Sequence, residues 1–104
     1  MSVNVEKRGD ELIFRFDGRM DTQGSNLVEV QLDKIINELE DFDSGSGKLI
    51  FDLKEVDFVS SAFMRVCIKY AKKVEQGNFT LLNTDLNIKK TMKIAGLDKI
   101  FKIL

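Results

Sequence analysis

Two short β-prone runs open the chain, and a glycine lies between them. Val3 and Val5 belong to the first run, Leu12 to Phe16 form the second, and Arg8-Gly9-Asp10 separates the two. This spacing predicts a β-hairpin, because glycine readily adopts the backbone conformations that a tight turn requires. The residues that follow, from Arg19 to Gly24, are predicted to form a loop.

The pattern changes to helical spacing at about Ser25. Apolar residues then recur at intervals of three and four up to Leu39, with polar and charged residues between them. This periodicity predicts an amphipathic helix, with Ser25 or Asn26 as the residue that caps its N-terminus. After a glycine-rich stretch from Asp43 to Gly47, the apolar run from Leu49 to Leu53 is typical of a strand buried on both faces.

The second half of the chain continues to alternate between helical and strand patterns. The elements predicted there are a helix from Ser61 to Glu75, a strand from Phe79 to Leu82, a helix from Leu86 to Ala95, and an apolar strand or turn from Ile100 to Leu104. Asp85 is the candidate N-cap of the last helix, and Gly96 is the candidate residue after its end.

The resulting order is β-β-α-β-α-β-α with a short apolar tail. Strands that alternate with helices form parallel sheets through right-handed crossovers, so we predict an α/β fold with a mixed, mostly parallel sheet and an N-terminal hairpin. No repeat and no linker divides the chain, and a single domain over residues 1–104 is expected.

Composition excludes several kinds of chemistry. The 104 residues carry a net charge of -1, one cysteine (Cys67) and no histidine. A single thiol cannot form an internal disulfide, and the absence of histidine removes the commonest general base and metal ligand. We therefore expect no metal and no cofactor. The N-terminus lacks the layout of a signal peptide, and no apolar run reaches the length of a membrane span, so the expected location is the cytoplasm.

Two loop patterns suggest ligand sites, but neither fits its motif. Gly45-Ser46-Gly47-Lys48 lacks the first glycine of a phosphate loop, because Phe42 stands there, and Leu49 replaces the hydroxyl that would hold magnesium. A calcium loop over the same region would need glycine where Ser46 stands, and Asp52 is too short to replace the terminal glutamate. Both patterns are therefore interpreted as ordinary loop sequence.

The remaining charge clusters favour solvated surfaces. Asp52, Glu55 and Asp57 straddle a strand end and have no partner base or nucleophile. Lys89, Lys90 and Lys93 lie on a short helix without interleaved aromatic residues, which favours a solvated face over a nucleic-acid contact.

The segment from Phe58 to Val66 carries the most functional information. On a helical wheel, Ser61 and Arg65 fall opposite a broad apolar arc, which comprises Phe63, Met64, Cys67, Tyr70, Ala71 and Val74. One interpretation is that Ser60 or Ser61 only caps the helix N-terminus. The other is that an exposed serine at a helix N-terminus accepts a phosphate, whose charge the nearby backbone N–H groups would tolerate and a docked partner would not.

Three blocks of this sequence, in order, resemble the STAS domains of anti-sigma factor antagonists. The blocks run from Phe16 to Thr22, from Phe51 to Ala62, and from Asn83 to Phe101 with its Ala95-Gly96-Leu97 core. The resemblance implies helices packed mainly on one side of the sheet. It also implies a partner, an anti-sigma factor that is often a serine kinase, which phosphorylates the antagonist and thereby ends the interaction.

Aligned residue by residue, the resemblance places the phosphorylated position at Ser61. Asp21 matches the family acid near the kinase contact, and the partner surface that the alignment implies also includes Thr22, Ser60, Ala62, Phe63 and Arg65. Phe63 departs from the family, which has glycine there. Its phenyl ring either packs inward or adds a hydrophobic contact for the partner, and its central place on the apolar arc favours inward packing.

Two functions of different kind are compatible with these features. The first is an anti-sigma factor antagonist controlled by phosphorylation at Ser61. The second is a STAS scaffold or accessory subunit of a signalling or transport complex, with no phosphorylation switch. An enzyme is not expected, because no set of residues in the sequence provides a nucleophile with its base or a phosphate loop.

Overall fold

A computed structural model describes residues 2–39 and 47–104. The elements are β1 (Ser2–Arg8), β2 (Glu11–Asp17), α1 (Thr22–Glu38), β3 (Lys48–Glu55), α2 (Ser61–Ala71), β4 (Phe79–Leu82), α3 (Leu86–Ile94), a short 3-10 helix (Leu97–Lys99) and β5 (Lys102–Ile103). The order confirms the predicted α/β sequence of elements, and the apolar tail forms the last strand. Most of the glycine-rich stretch predicted to be a loop, residues 43–46, lies outside the described residues, as do Phe42 and Ser46 of the two loop patterns.

The five strands form one sheet in the order β1-β2-β3-β4-β5. β1 and β2 are antiparallel and joined by the predicted hairpin, in which Gly9 has a φ of 59°. The other neighbouring pairs are parallel. Each of the three β-α-β units leads to the neighbouring strand on the same side of the one before it. Right-handed crossovers therefore place α1, α2 and α3 on the same face of the sheet.

The core lies between that face and the helices. Fully buried strand residues include Phe14, Phe16 and Phe51, and all three helices contribute side chains to the same hydrophobic cluster. The ring of Phe51 contacts the rings of Phe16 and Phe79 edge-on, with centroids 4.7 and 4.8 Å apart. Edge-to-face packing of this kind adds to the stabilisation from apolar burial.

Within the described residues, no helix covers the opposite face of the sheet, yet the predicted strand from Leu49 to Leu53 is buried except at Ile50. Ile50 is half-buried there, and Asp52 is shielded by its neighbours rather than by a second layer. The Asp52 carboxylate accepts hydrogen bonds from the backbone N–H of Lys54 and from Asn83 Nδ2, and Arg15 lies 3.6 Å away.

Helix boundaries differ from the predicted ones at three places. α2 ends at Ala71 rather than Glu75, with Lys72 as its C-cap. α1 begins at Thr22 rather than at Ser25, so half of the predicted loop is helical. The third helix begins where predicted and ends at Ile94, one residue before the predicted Ala95, and both predicted flanking residues are confirmed: Asp85 caps its N-terminus, and Gly96 follows the C-cap with a φ of 81°.

Candidate functional site

A short parallel bridge joins the two loops that lead into α1 and α2. Met20 pairs with Val59, the Met20 N–H donates to the Phe58 carbonyl at 3.0 Å, and the Ser60 N–H donates to the Met20 carbonyl at 2.9 Å. Met20 itself is fully buried. These backbone bonds extend the pairing of β2 with β3 past the ends of the strands, and they hold the N-termini of both helices side by side.

At the start of α1, Asp21 is the N-cap. Its Oδ1 accepts from the backbone N–H of Gly24 at 2.8 Å. Ser25, a predicted cap, lies one turn into the helix and is fully buried, and its hydroxyl donates to the Met20 carbonyl at 3.2 Å. The prediction of Ser25 or Asn26 as the cap is therefore wrong, because the bridge at Met20 fixes the chain early enough for Asp21 to take that place.

At the start of α2, the structure separates the roles of the two adjacent serines. Ser60 is the N-cap, and its Oγ accepts from the backbone N–H of Phe63 at 3.4 Å. Ser60 Oγ also lies 3.5 Å from Ser25 Oγ, so the two helix starts meet through hydroxyl groups. Ser61 is the first helical residue, is exposed, and its hydroxyl has no hydrogen-bond partner among the described residues. Ser60, and not Ser61, is therefore the residue that caps the helix.

The apolar residues next to Ser61 face the interior. Phe63 is fully buried, and its ring meets that of Phe16 edge-on with centroids 5.5 Å apart. Ala62 is only 7% exposed. Inward packing of Phe63 is therefore confirmed, and its side chain presents no surface to another protein. This corrects the expectation that the Phe63 side chain belongs to a partner surface, and it leaves Ala62 with little surface to offer a partner.

Four polar residues of the expected partner surface remain at or near the two helix starts. Thr22 is exposed at the first position of α1, Arg65 is exposed one turn along α2, and Asp21 and Ser60 are half-buried. Together with Ser61 they form what we call the switch surface, defined as Asp21, Thr22, Ser60, Ser61 and Arg65. Its members come from two segments that are far apart in sequence, and the Met20–Val59 bridge brings them together.

An aromatic residue and a cation border the switch surface. The guanidinium carbon of Arg19 lies 3.8 Å from the centroid of the Phe58 ring, and Arg19 Nε lies 4.0 Å from Asp21 Oδ2. The Phe58 side chain remains 36% exposed. A half-exposed aromatic ring with an arginine above it is a combination that often contributes strongly to protein interfaces.

Further along, a charged cluster clamps α1 to α2. Lys69 Nζ lies 2.8 Å from Glu29 Oε2 and 3.1 Å from Asp33 Oδ2, and the Tyr70 hydroxyl donates to Asp33. The hydrogen bond to Glu29 is the main cause of a raised pKa at Lys69. The pKa of Asp33 is lowered: burial acts to raise it, but the bonds from Tyr70 and Lys69 outweigh that effect. Burial, followed by the bond to Asp33, raises the pKa of Tyr70.

The carboxyl ends of the parallel strands border an open polar cavity of about 530 Å³, whose lining includes the residues that end β3 and lead toward α2. The three loops after β2, β3 and β4 line it, with Arg19, Lys54, Glu55, Asp57, Asn83 and Asp85 among the lining residues. Its lining includes both cations and anions. Within residues 2–39 and 47–104, no group of three or more potential metal-ligating side chains is arranged to hold an ion.

The single thiol is part of the interior. Cys67 is fully buried on α2, and burial raises the pKa of its thiol. A thiol in such surroundings is a packing group rather than a nucleophile. In the part of the chain that the structure describes, no helix is both long enough and apolar enough to cross a membrane.

The fold and this site define the class of the protein. The family model for the STAS domain matches residues 2–104, so the chain belongs to the STAS domain family.

Relatives of this chain carry more specific descriptions. It is 25% identical over 105 residues to the putative anti-sigma factor antagonist BtrV of Bordetella bronchiseptica, covering 99% of this chain and 85% of that protein. The crystal structure of an anti-sigma factor antagonist from Mycobacterium paratuberculosis superposes with a TM-score of 0.78 at 17% identity, over 98% of this chain and 83% of that one. The Bacillus cell fate determinant SpoIIAA in its phosphorylated form gives a TM-score of 0.67 at 15% identity, over 99% and 91%. At these identities the two solved structures establish the fold.

Proposed function

We propose that this protein is an anti-sigma factor antagonist that binds an anti-sigma factor through the switch surface and is released when Ser61 is phosphorylated. The observation that carries this proposal is the Ser61 hydroxyl, which is exposed at the first position of α2 and has no partner among the described residues, while Ser60 caps the helix. The description of BtrV as an anti-sigma factor antagonist, and the existence of a phosphorylated SpoIIAA, support the same assignment.

The proposed partner is an anti-sigma factor of the serine-kinase type. Such a partner would transfer the γ-phosphoryl group of ATP to Ser61 Oγ, so that an O–P bond forms, the hydroxyl proton is lost and ADP leaves. The chain itself acts as a binding protein and as the substrate of its partner, not as an enzyme. We place this interaction in the cytoplasm, where ATP and sigma factors meet.

The local structure explains how a phosphate would change binding while leaving the fold intact. Ser61 lies at the N-terminal end of α2, where unpaired backbone N–H groups and the helix dipole favour a negative charge. Arg65 follows four residues later on the same exposed side, at the spacing of helical ion pairs. A phosphate of nearly two negative charges is therefore compatible with the free protein, but it occupies the surface that the partner must cover.

The direct test is phosphorylation of the purified chain by its cognate anti-sigma kinase with ATP, followed by intact-mass measurement and peptide mapping. The proposal expects one phosphate, located on Ser61. Ser60→Ala should still accept it, and Ser61→Ala should not. Phosphate on Ser60 alone, or no transfer to a folded protein that binds the kinase, would overturn the switch and favour a STAS scaffold.

A further inference from the structure

A second exposed feature lies at the other end of α2. A cleft of about 360 Å³ separates the last turn of α2 from the 3-10 helix, and its lining comprises Ala71, Lys72, Val74, Gln76, Lys99 and Ile100. The eleven residues of α2 span about 16 Å, so this cleft is roughly that far from the Ser61 end. We call it the lysine cleft, defined by these six residues.

The lysine cleft combines an apolar floor with cations that form no ion pair in the described part of the chain. Ala71, Val74 and Ile100 supply aliphatic surface, and Ile100 remains 44% exposed. Lys72 and Lys99 are exposed, and neither forms an ion pair within the described residues. The cleft therefore offers an apolar contact surface directly beside two ammonium groups without an ion pair among the described residues.

Positive charge continues beyond the cleft on α3, which packs against the 3-10 helix. Lys89, Lys90 and Lys93 are all exposed there, and Ile94 is 84% exposed at the end of the helix. The Ser61 end of α2 carries both signs of charge, since Asp21, Asp57 and Asp85 lie there together with Arg19 and Arg65. The charged side chains that line the lysine cleft are all cations, so the cleft favours an anionic ligand.

We propose that the lysine cleft binds an acidic, amphipathic peptide segment of a protein partner. An apolar side chain of that segment occupies the floor formed by Val74 and Ile100, and its carboxylates pair with Lys72 and Lys99. A concave pocket between a helix end and a turn accommodates a single side chain and its neighbours, as in helix-in-groove recognition. A membrane surface would instead require a broad, outward-facing apolar stripe. The inference goes beyond the switch function and does not depend on it.

The test uses a synthetic amphipathic helix of about 12 residues, built from Glu, Leu and Phe with its apolar residues at helical spacing. Its binding to the full chain would be measured by fluorescence anisotropy and mapped by amide chemical shifts. A peptide with the same glutamates but serine at the apolar positions provides the comparison. Vesicles of phosphatidylcholine with and without phosphatidylglycerol test the alternative occupant.

We expect shifts concentrated in residues 71–76 and at 99–100, and an affinity that depends on both charge and apolar contact. Lys72→Gln combined with Lys99→Gln should raise Kd about fivefold or more, and Ile100→Ser should weaken binding separately. The matched control, Lys34→Gln with Lys54→Gln, removes the same net charge elsewhere and should change Kd less than about twofold. Ser61→Asp should leave this binding unchanged, which separates the result from that of the phosphorylation test.

Several outcomes would overturn the proposal. Equal binding of the serine-substituted peptide would show that charge alone is responsible. Equal effects of the cleft variant and its control, with both proteins folded by melting temperature, would remove the cleft from the interaction. Binding to anionic vesicles without binding to the peptide would identify a lipid surface instead, and self-association lost in the cleft variant would identify a second copy of this chain.

Discussion

At its N-terminal end, α2 is held beside α1 by backbone hydrogen bonds between the two preceding loops and by the contact of Ser60 with Ser25, whereas at its C-terminal end it faces a cleft whose lysines form no ion pair within the described residues. The first end holds Ser61 in a fixed backbone position and leaves its hydroxyl free. The second end has exposed apolar surface and exposed, positively charged side chains. A fixed backbone suits a serine that an enzyme must recognise, while cations around an apolar floor suit a partner that presents acidic and apolar side chains.

Between the two ends, Phe63 anchors α2 to the sheet, and its removal should have the largest effect on stability. Phe63→Ala should lower the free energy of unfolding by about 3–5 kcal/mol, because it leaves a cavity beside Phe16 and Phe51. Phe58→Ala, which truncates a half-exposed ring, should lower it by only about 1 kcal/mol. Urea unfolding would measure both. Equal losses would mean that Phe63 does not anchor the helix.

The adjacent serines allow a sharper comparison at the switch end. Ser60→Ala should lower the free energy of unfolding by about 1 kcal/mol, since it removes the hydroxyl that caps α2. Ser61→Ala should change it by less than about 0.5 kcal/mol, because that hydroxyl has no partner within the described residues. Reversed magnitudes in the same urea titrations would assign the cap to Ser61 and undermine its role as a free acceptor.

The clamp between α1 and α2 should make a smaller, pH-dependent contribution. The folded pKa of Asp33 is lowered, so its contribution is present above its unfolded pKa, near 3.8, and is lost as the pH falls through the folded value. Lys69→Gln should lower stability by about 0.5 kcal/mol at pH 7, in keeping with partly exposed ion pairs. The difference in unfolding free energy between Lys69→Gln and the unsubstituted protein should become smaller as the pH falls below about 4. A constant difference would mean that Lys69 acts through packing alone.

The buried position of Cys67 predicts that the thiol of the native protein does not react with reagents in solution. Because the thiol is fully buried and its pKa is raised, a thiol-specific reagent should leave the native protein unmodified and react only after unfolding in urea. Rapid labelling of the native protein would show that α2 opens from the sheet far more readily than its packing implies.

Much of the fold could be predicted from the chain because its local signals agree with its topology. The hairpin at Gly9, the strand around Phe51 and the third helix between Asp85 and Gly96 each follow from short-range patterns. The start of α1 could not be predicted in the same way. The polar residues before Ser25 look like a loop, and only the pairing of Met20 with Val59 in the folded protein makes Asp21 the cap.

The candidate site shows the same division between local and tertiary information. The sequence identifies a pair of serines before an amphipathic helix, but either hydroxyl is chemically suited to cap it. The position of Ser60 Oγ relative to the backbone of Phe63 decides between them. The lysine cleft could not be recognised from sequence, because Lys72 and Lys99 are distant in the chain and meet only when α2 packs beside the 3-10 helix.

The most direct measurement is the affinity of the cognate anti-sigma factor for the protein before and after stoichiometric phosphorylation of Ser61. The account predicts that the phosphorylated form binds at least about tenfold more weakly, with Ser61→Asp weakened in the same direction, while the melting temperature stays close to that of the unmodified protein. Equal affinities for the two forms would contradict it and leave Ser61 without a regulatory role.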